Sequence, residues 1–125
     1  MLVIKGRVID GNGGPPLEKG LVAIEGERII AVCNQWEYKI PDAAQVIEIR
    51  DGTVMPGLID MHVHLGLKGN FFTVYTTHVY EAICTVINDM RKILNAGFTS
   101  MRECGGPSNF LKPAWENGTI EGPRI

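Results

Sequence analysis

A change of rhythm at Pro56-Gly57 constrains this chain more than any other feature. Beyond it, a strand, a long amphipathic helix and a second strand follow one another. Leu58 to His64 reads as the first strand. Val79, Ala82, Ile83, Val86, Ile87, Met90, Ile93 and Leu94 then recur at spacings of three and four, which puts one apolar stripe on a helix. Thr77 fits the N-cap, Arg91 and Lys92 suit the negative C-terminal end, and Gly97 fits the left-handed position after it. Phe98 to Glu103 reads as the second strand, broken by Gly105-Gly106-Pro107. A short helix around Phe110 to Glu116 begins near Pro113, Asn117-Gly118 closes it, and Gly122 to Ile125 reads as the entry to a third strand. Strand–helix–strand order implies parallel pairing with right-handed crossovers.

Before Pro56 the chain reads as β structure. Leu2 to Ile9 ends at the turn formers Asp10-Gly11-Asn12-Gly13-Gly14-Pro15-Pro16. Leu21 to Ile24 and Ile29 to Val32 flank Glu25-Gly26-Glu27-Arg28, the pattern of a hairpin with glycine at positive φ. Gln45 to Arg50 is a further short strand, with Asp51-Gly52 as its stop. Short strands with close turns predict a small sheet or sandwich. The expected class is therefore α/β, with a small β-sandwich-type segment over 1–56 and βα units over 57–125.

Within 125 residues, 45% are apolar and 21% charged, the balance of an ordinary globular chain. A net charge of −2 provides no basic field, so neither nucleic acid nor an anionic membrane surface is an expected partner. Cys33, Cys84 and Cys104 form no CxxC pair, and an odd number cannot all be bridged, which favours a reducing compartment. The opening residues lack the basic head and apolar run of a signal peptide, and no stretch approaches the roughly 20 apolar residues that span a bilayer. The expected location is cytoplasmic.

Side chains alternate along a strand, so Asp60, His62 and His64 share one face while Ile59, Met61 and Val63 share the other, as in a strand buried on both sides. Two imidazoles on one face can grip one divalent ion, or pair through a hydrogen bond; the spacing alone leaves both open. Asp60 has two readings as well, orienting His62 or being satisfied by backbone. Glu103 ends the neighbouring strand and is a weak candidate to reach the site. His78 reads as a helix cap or surface residue, and Cys104 as a small apolar residue. Phe71, Phe72 and Tyr75 either line a pocket or anchor their loop, and Gly105-Gly106 reads as a simple loop.

A β segment, then Pro56-Gly57-Leu58-Ile59-Asp60-Met61-His62-Val63-His64, then the long helix and second strand, resembles the amidohydrolase superfamily. Asn95-Ala96-Gly97-Phe98-Thr99-Ser100-Met101-Arg102-Glu103-Cys104-Gly105-Gly106, with Gly118 to Ile125, is similar to its imidazolonepropionase-related branch, which includes metal-dependent Xaa-Pro dipeptidases. This resemblance implies the start of a TIM-type (β/α)8 barrel, the first strand ending in the metal ligands His62 and His64. It implies one or two divalent ions, zinc foremost, and hydrolysis of a C–N bond in a dipeptide or small cyclic amide by metal-activated water. The other ligands of the superfamily, a lysine that can be carboxylated, two histidines and an aspartate, come from later strands. The chain is thus expected to be the opening third of such an enzyme, itself inactive and prone to self-association. The alternative is a non-catalytic β-plus-α module that self-associates or needs a partner.

Overall fold

The computed structural model describes residues 1–67, 72 and 76–125. The chain divides into two compact units, Met1–Pro56 and Gly57–Ile125.

In the first unit, β1 (Leu2–Val8), β2 (Leu17–Glu25), β3 (Arg28–Asn34) and β4 (Gln45–Val54) form one sheet in the order β3-β2-β1-β4. The β1–β2 and β2–β3 pairs are antiparallel, and β1–β4 is parallel. Period-2 alternation puts Leu21 and Ala23 of β2 on one face with Val3, Ala31 and Cys33, and Tyr38, Ile40 and Ala44 from the β3–β4 connection cover them. The sandwich expectation is met only in part. Among the described residues this unit has a single sheet, and a connection rather than a second sheet closes its core. Ile30 and Val32, on the alternate positions of β3, stay exposed. The turn formers Asp51-Gly52 interrupt β4 without ending it. Its pairing with β1 runs to Lys5↔Glu48 and resumes at Arg7↔Thr53, so residues 49–52 bulge out of register.

Two side chains of this unit have displaced titration. The backbone N–H of Asn12, and then its side-chain amide, hold the Asp10 carboxyl below the usual carboxylate range. Burial pushes the Cys33 thiol up, and the charge of Glu37 adds to it.

The second unit contains β5 (Leu58–Val63), α1 (Val79–Asn95), β6 (Phe98–Glu103), a 3-10 turn over Pro107–Leu111, and α2 (Lys112–Glu116). β5 and β6 pair in parallel. Arg124 then bridges in parallel to β6, its N–H donating to the Thr99 carbonyl (2.9 Å) and its carbonyl accepting from Met101 N–H (2.8 Å). The residues expected to open a third strand thus make the first contacts of one.

The 3.6-residue stripe forms α1, with Gly97 after it at φ 94°. His78, rather than Thr77, is the N-cap: its backbone is extended and its Nδ1 accepts from Tyr80 N–H at 3.4 Å. Val86 and Met90 are fully buried against Leu65 and Met101, with Val63, Ile93, Leu111 and Trp115 around them. The Trp115 indole N–H donates to the Gly122 carbonyl (2.9 Å), satisfying its polar edge. Val79, the first member of the stripe, is exposed. β5 differs most from expectation. Ile59 and Met61 are 62% and 63% exposed, because α1 packs chiefly on β6 and only Val63, at the end of that face of β5, joins the core. No helix among the described residues is long and apolar enough to cross a membrane.

At the start of β5, Leu58 N–H donates to the Gly97 carbonyl (2.9 Å). A Cβ at Gly57 would lie 2.0 Å from Thr99 Oγ1, inside a β-branched side chain held close to backbone. At Gly122 it would meet Met90, whose Cε (2.5 Å) can swing aside but whose Cβ (2.9 Å) is fixed to α1, a shallower overlap than at Gly57. Gly57→Ala is expected to destabilise the second unit by about 1–3 kcal/mol, and Gly122→Ala by less; chemical denaturation of the two variants ranks them. The thiols offer a check on the first unit. With its thiolate disfavoured, Cys33 should be alkylated by iodoacetamide at pH 8 several times more slowly than the exposed Cys84, as read by peptide mass spectrometry.

Candidate metal centre

His62 lies one residue before the end of β5 and His64 just after it, and alternation brings both rings out on the same side. Their Nε2 atoms are 3.2 Å apart, with ring centroids at 5.1 Å and planes inclined at 68°. His64 Nδ1 lies 2.8 Å from the Gly105 carbonyl. A carbonyl only accepts, so Nδ1 carries the proton and His64 Nε2 presents a lone pair towards His62. Two neutral rings in this arrangement share one proton between their Nε2 atoms. A metal ion can take its place. Two imidazole nitrogens bound tetrahedrally to zinc at about 2.0–2.1 Å stand roughly 3.3–3.4 Å apart. The observed separation fits that geometry, and the Nδ1–H to carbonyl bond is the usual support for a ligating imidazole.

Asp60 Oδ1 accepts the backbone N–H of His62 at 3.0 Å. Glu103, considered as a further ligand, is buried and occupied. Its side chain is 1% exposed; Oε2 accepts from Leu65 N–H (3.0 Å) and from the hydroxyl of the fully buried Ser108, and Oε1 accepts from Gly105 N–H (3.1 Å). It comes within 4.0 Å of His64 on the Nδ1 side, the side already bonded to Gly105. Among the described residues, no group of three histidine, cysteine, aspartate or glutamate side chains converges to hold a metal ion.

The remaining candidates separate from this pair. His78 caps α1, and the Cys104 thiol donates to the Arg102 carbonyl at 3.7 Å. Phe72 is exposed, while Phe71 and Tyr75 lie outside the described residues. A cleft of about 390 Å3 opens beside His64, lined by Leu65, Gly66 and the ion-paired Asp89 and Lys92 of α1. A larger hollow of about 800 Å3 lies at the β4 bulge of the first unit, but no imidazole or thiol lines it, so the chemistry points to the smaller cleft. Sequence reasoning did not find Ser108 or the Gly105 carbonyl. The spacing Glu103-x-Gly105-Gly106-x-Ser108 was the available signal, since it allows a strand-end carboxylate to be met by its own following loop.

No family profile matches the chain. Ochratoxinase from Aspergillus niger is 29% identical over 131 residues, covering 99% of this chain and 27% of the relative. Imidazolonepropionase from Anaeromyxobacter dehalogenans is 36% identical over 76 residues, covering 54% of this chain and 18% of the relative. Among solved structures, a prolidase complexed with N-methylphosphonate-L-proline superimposes with a TM-score of 0.85 at 39% identity, covering 99% of this chain and 30% of that one. The chain therefore spans between about a fifth and a third of the length of these relatives. With a prolidase structure and an ochratoxinase each covering 99% of this chain and an imidazolonepropionase covering 54% of it, the chain belongs to the amidohydrolase superfamily and corresponds to the N-terminal portion of its members.

Proposed function

We propose that the chain is the N-terminal part of a metal-dependent amidohydrolase that hydrolyses a C–N bond. In this reading β5, α1 and β6 begin a (β/α)8 barrel, and the sheet of the first unit belongs to a flanking β domain. His62 and His64 hold a zinc ion through Nε2, with further ligands supplied by later strands. The observation that carries it is the 3.2 Å separation of the two Nε2 atoms, together with the bond that fixes His64 Nδ1 as donor. When bound, zinc supplies the Lewis-acid chemistry that activates water against an amide-type carbonyl. The chain's own residues prepare that site: Asp60 satisfies the backbone N–H of His62, and Gly105 sets the tautomer of His64. The prolidase likeness favours a dipeptide substrate, with a small cyclic amide as the other class the relatives offer.

A second reading, a non-catalytic module that self-associates, draws on the exposed apolar face of β5. Ile59 and Met61 present a surface that another strand or chain would cover.

Dialysed against zinc, the chain is expected to retain the metal weakly and to lose it on His62→Ala or His64→Ala, each lowering affinity by more than about tenfold, while His78→Ala changes nothing. Isothermal titration reads all three. Unchanged zinc binding in both ligand variants overturns the metal reading. Assayed against Xaa-Pro dipeptides, the 125-residue chain should show no turnover; turnover by a monomer holding stoichiometric zinc would show that the site is complete without later strands. Light scattering tests the second reading: association should weaken on Ile59→Lys and Met61→Lys.

A further inference from the structure

Glu103 places a carboxylate inside the protein, 1% exposed, where each of its two oxygens meets a backbone N–H. One N–H belongs to Leu65, next to His64, and the other to Gly105, whose carbonyl is bonded to His64 Nδ1. Gly105 thus faces both ways, with its N–H on Glu103 and its carbonyl on the imidazole. Its φ of 137° and the 156° of Gly106 are conformations with little intrinsic preference, which glycine adopts and leaves easily. Something outside the loop must hold them. Ser108 closes the arrangement by donating its buried hydroxyl to the same carboxylate.

We propose that Glu103 is a positioning residue for the metal site: by fixing the Gly105 carbonyl against Nδ1, it commits His64 to the tautomer that offers Nε2 to a cation. The proposal rests on the metal reading above for its purpose, but its effect on His64 is measurable without metal.

Glu103→Gln isolates the effect, because it keeps shape and removes one acceptor. With the amide NH2 in the place of Oε1 it faces Gly105 N–H, and in the place of Oε2 it faces Leu65 N–H; either way two donors oppose each other. Imidazole 15N shifts in the metal-free full chain report the tautomers. Wild type should show His64 as the Nδ1–H form. Glu103→Gln should show a mixture at His64 with His78 unchanged, and zinc affinity lowered by about 10–100-fold. Met90→Ala, a core truncation in the same unit, controls for destabilisation and should lower the melting temperature without moving the His64 tautomer. Glu103→Asp retains two acceptor oxygens on a shorter arm and should restore part of the tautomer preference. If Glu103→Gln does not fold, Ser108→Ala replaces it, removing one donor and giving a smaller shift of the same sign. The proposal is overturned if Glu103→Gln, or Ser108→Ala in its place, lowers the melting temperature as Met90→Ala does yet leaves the His64 tautomer as in wild type. Failure of the metal reading looks different: wild type takes up no zinc at all, while the His64 tautomer still follows Glu103.

Discussion

The buried carboxylate of Glu103 is the constraint on which the second unit turns. A carboxylate taken out of water costs several kcal/mol unless its oxygens are matched by donors. Here three donors meet it, from Leu65 after β5, Gly105 after β6 and Ser108 in the following turn. None of these positions is free to drift without exposing the carboxylate's cost. The two strand ends are therefore tied to one group, in addition to their backbone pairing, which includes the bond from Cys104 N–H to the Val63 carbonyl (2.9 Å). This tie lies where the imidazole pair emerges.

The packing below supports the same end of the strands. Leu65 is buried in the cluster with Val86, Met90 and Met101, so its backbone N–H is held from one side by the core and from the other by Glu103. Truncating a side chain in such a cluster costs about 2–5 kcal/mol of the unit's stability. β6 takes most of this support, with α1 on its face and Arg124 bridging to it. β5 takes little, since its contacts run through β6. The strand that carries the histidines is thus positioned by its neighbour rather than by its own apolar face.

This explains what could be read in the amino-acid sequence and what could not. The stripe from Ala82 to Leu94 forms α1 because its period is local and strong, and the alternation of Leu21, Ala23, Ala31 and Cys33 forms one face of the sheet for the same reason. Gly97 is found at positive φ where a helix end needs it. Alternation also brings His62 and His64 to one side. The exposure of Ile59 and Met61 was not legible, because periodicity shows that a face is apolar and not what covers it. Nor were the partners of Glu103. Two of them are backbone N–H groups, which every residue but proline carries, and one lies 38 positions away in the chain. The cap shifted from Thr77 to His78 because an imidazole Nδ1 can accept from N2 as a hydroxyl does, a choice that composition leaves open.

Two imidazole nitrogens 3.2 Å apart suit a shared cation as well as a shared proton in distance, and how tightly a cation is held depends on the rest of the ligand set. Structural zinc sites with four ligands bind with about 10–16 kcal/mol at neutral pH. If ligands contributed equally, two of them would supply roughly 5–8 kcal/mol, a Kd from about 0.2 mM to about 1 μM. Such a pair captures zinc at millimolar concentration and releases it on dilution. Tight binding then requires donors that reach the same point from elsewhere, and these must arrive on the Nε2 side of the rings, since the Nδ1 side of His64 is occupied by Gly105 with Glu103 behind it. A fixed tautomer matters most in this situation. Each ligand that is already oriented spares the later ones the entropy of ordering it, so the hydrogen bonds around Glu103 contribute to affinity only in proportion to how completely the remaining coordination sphere is assembled.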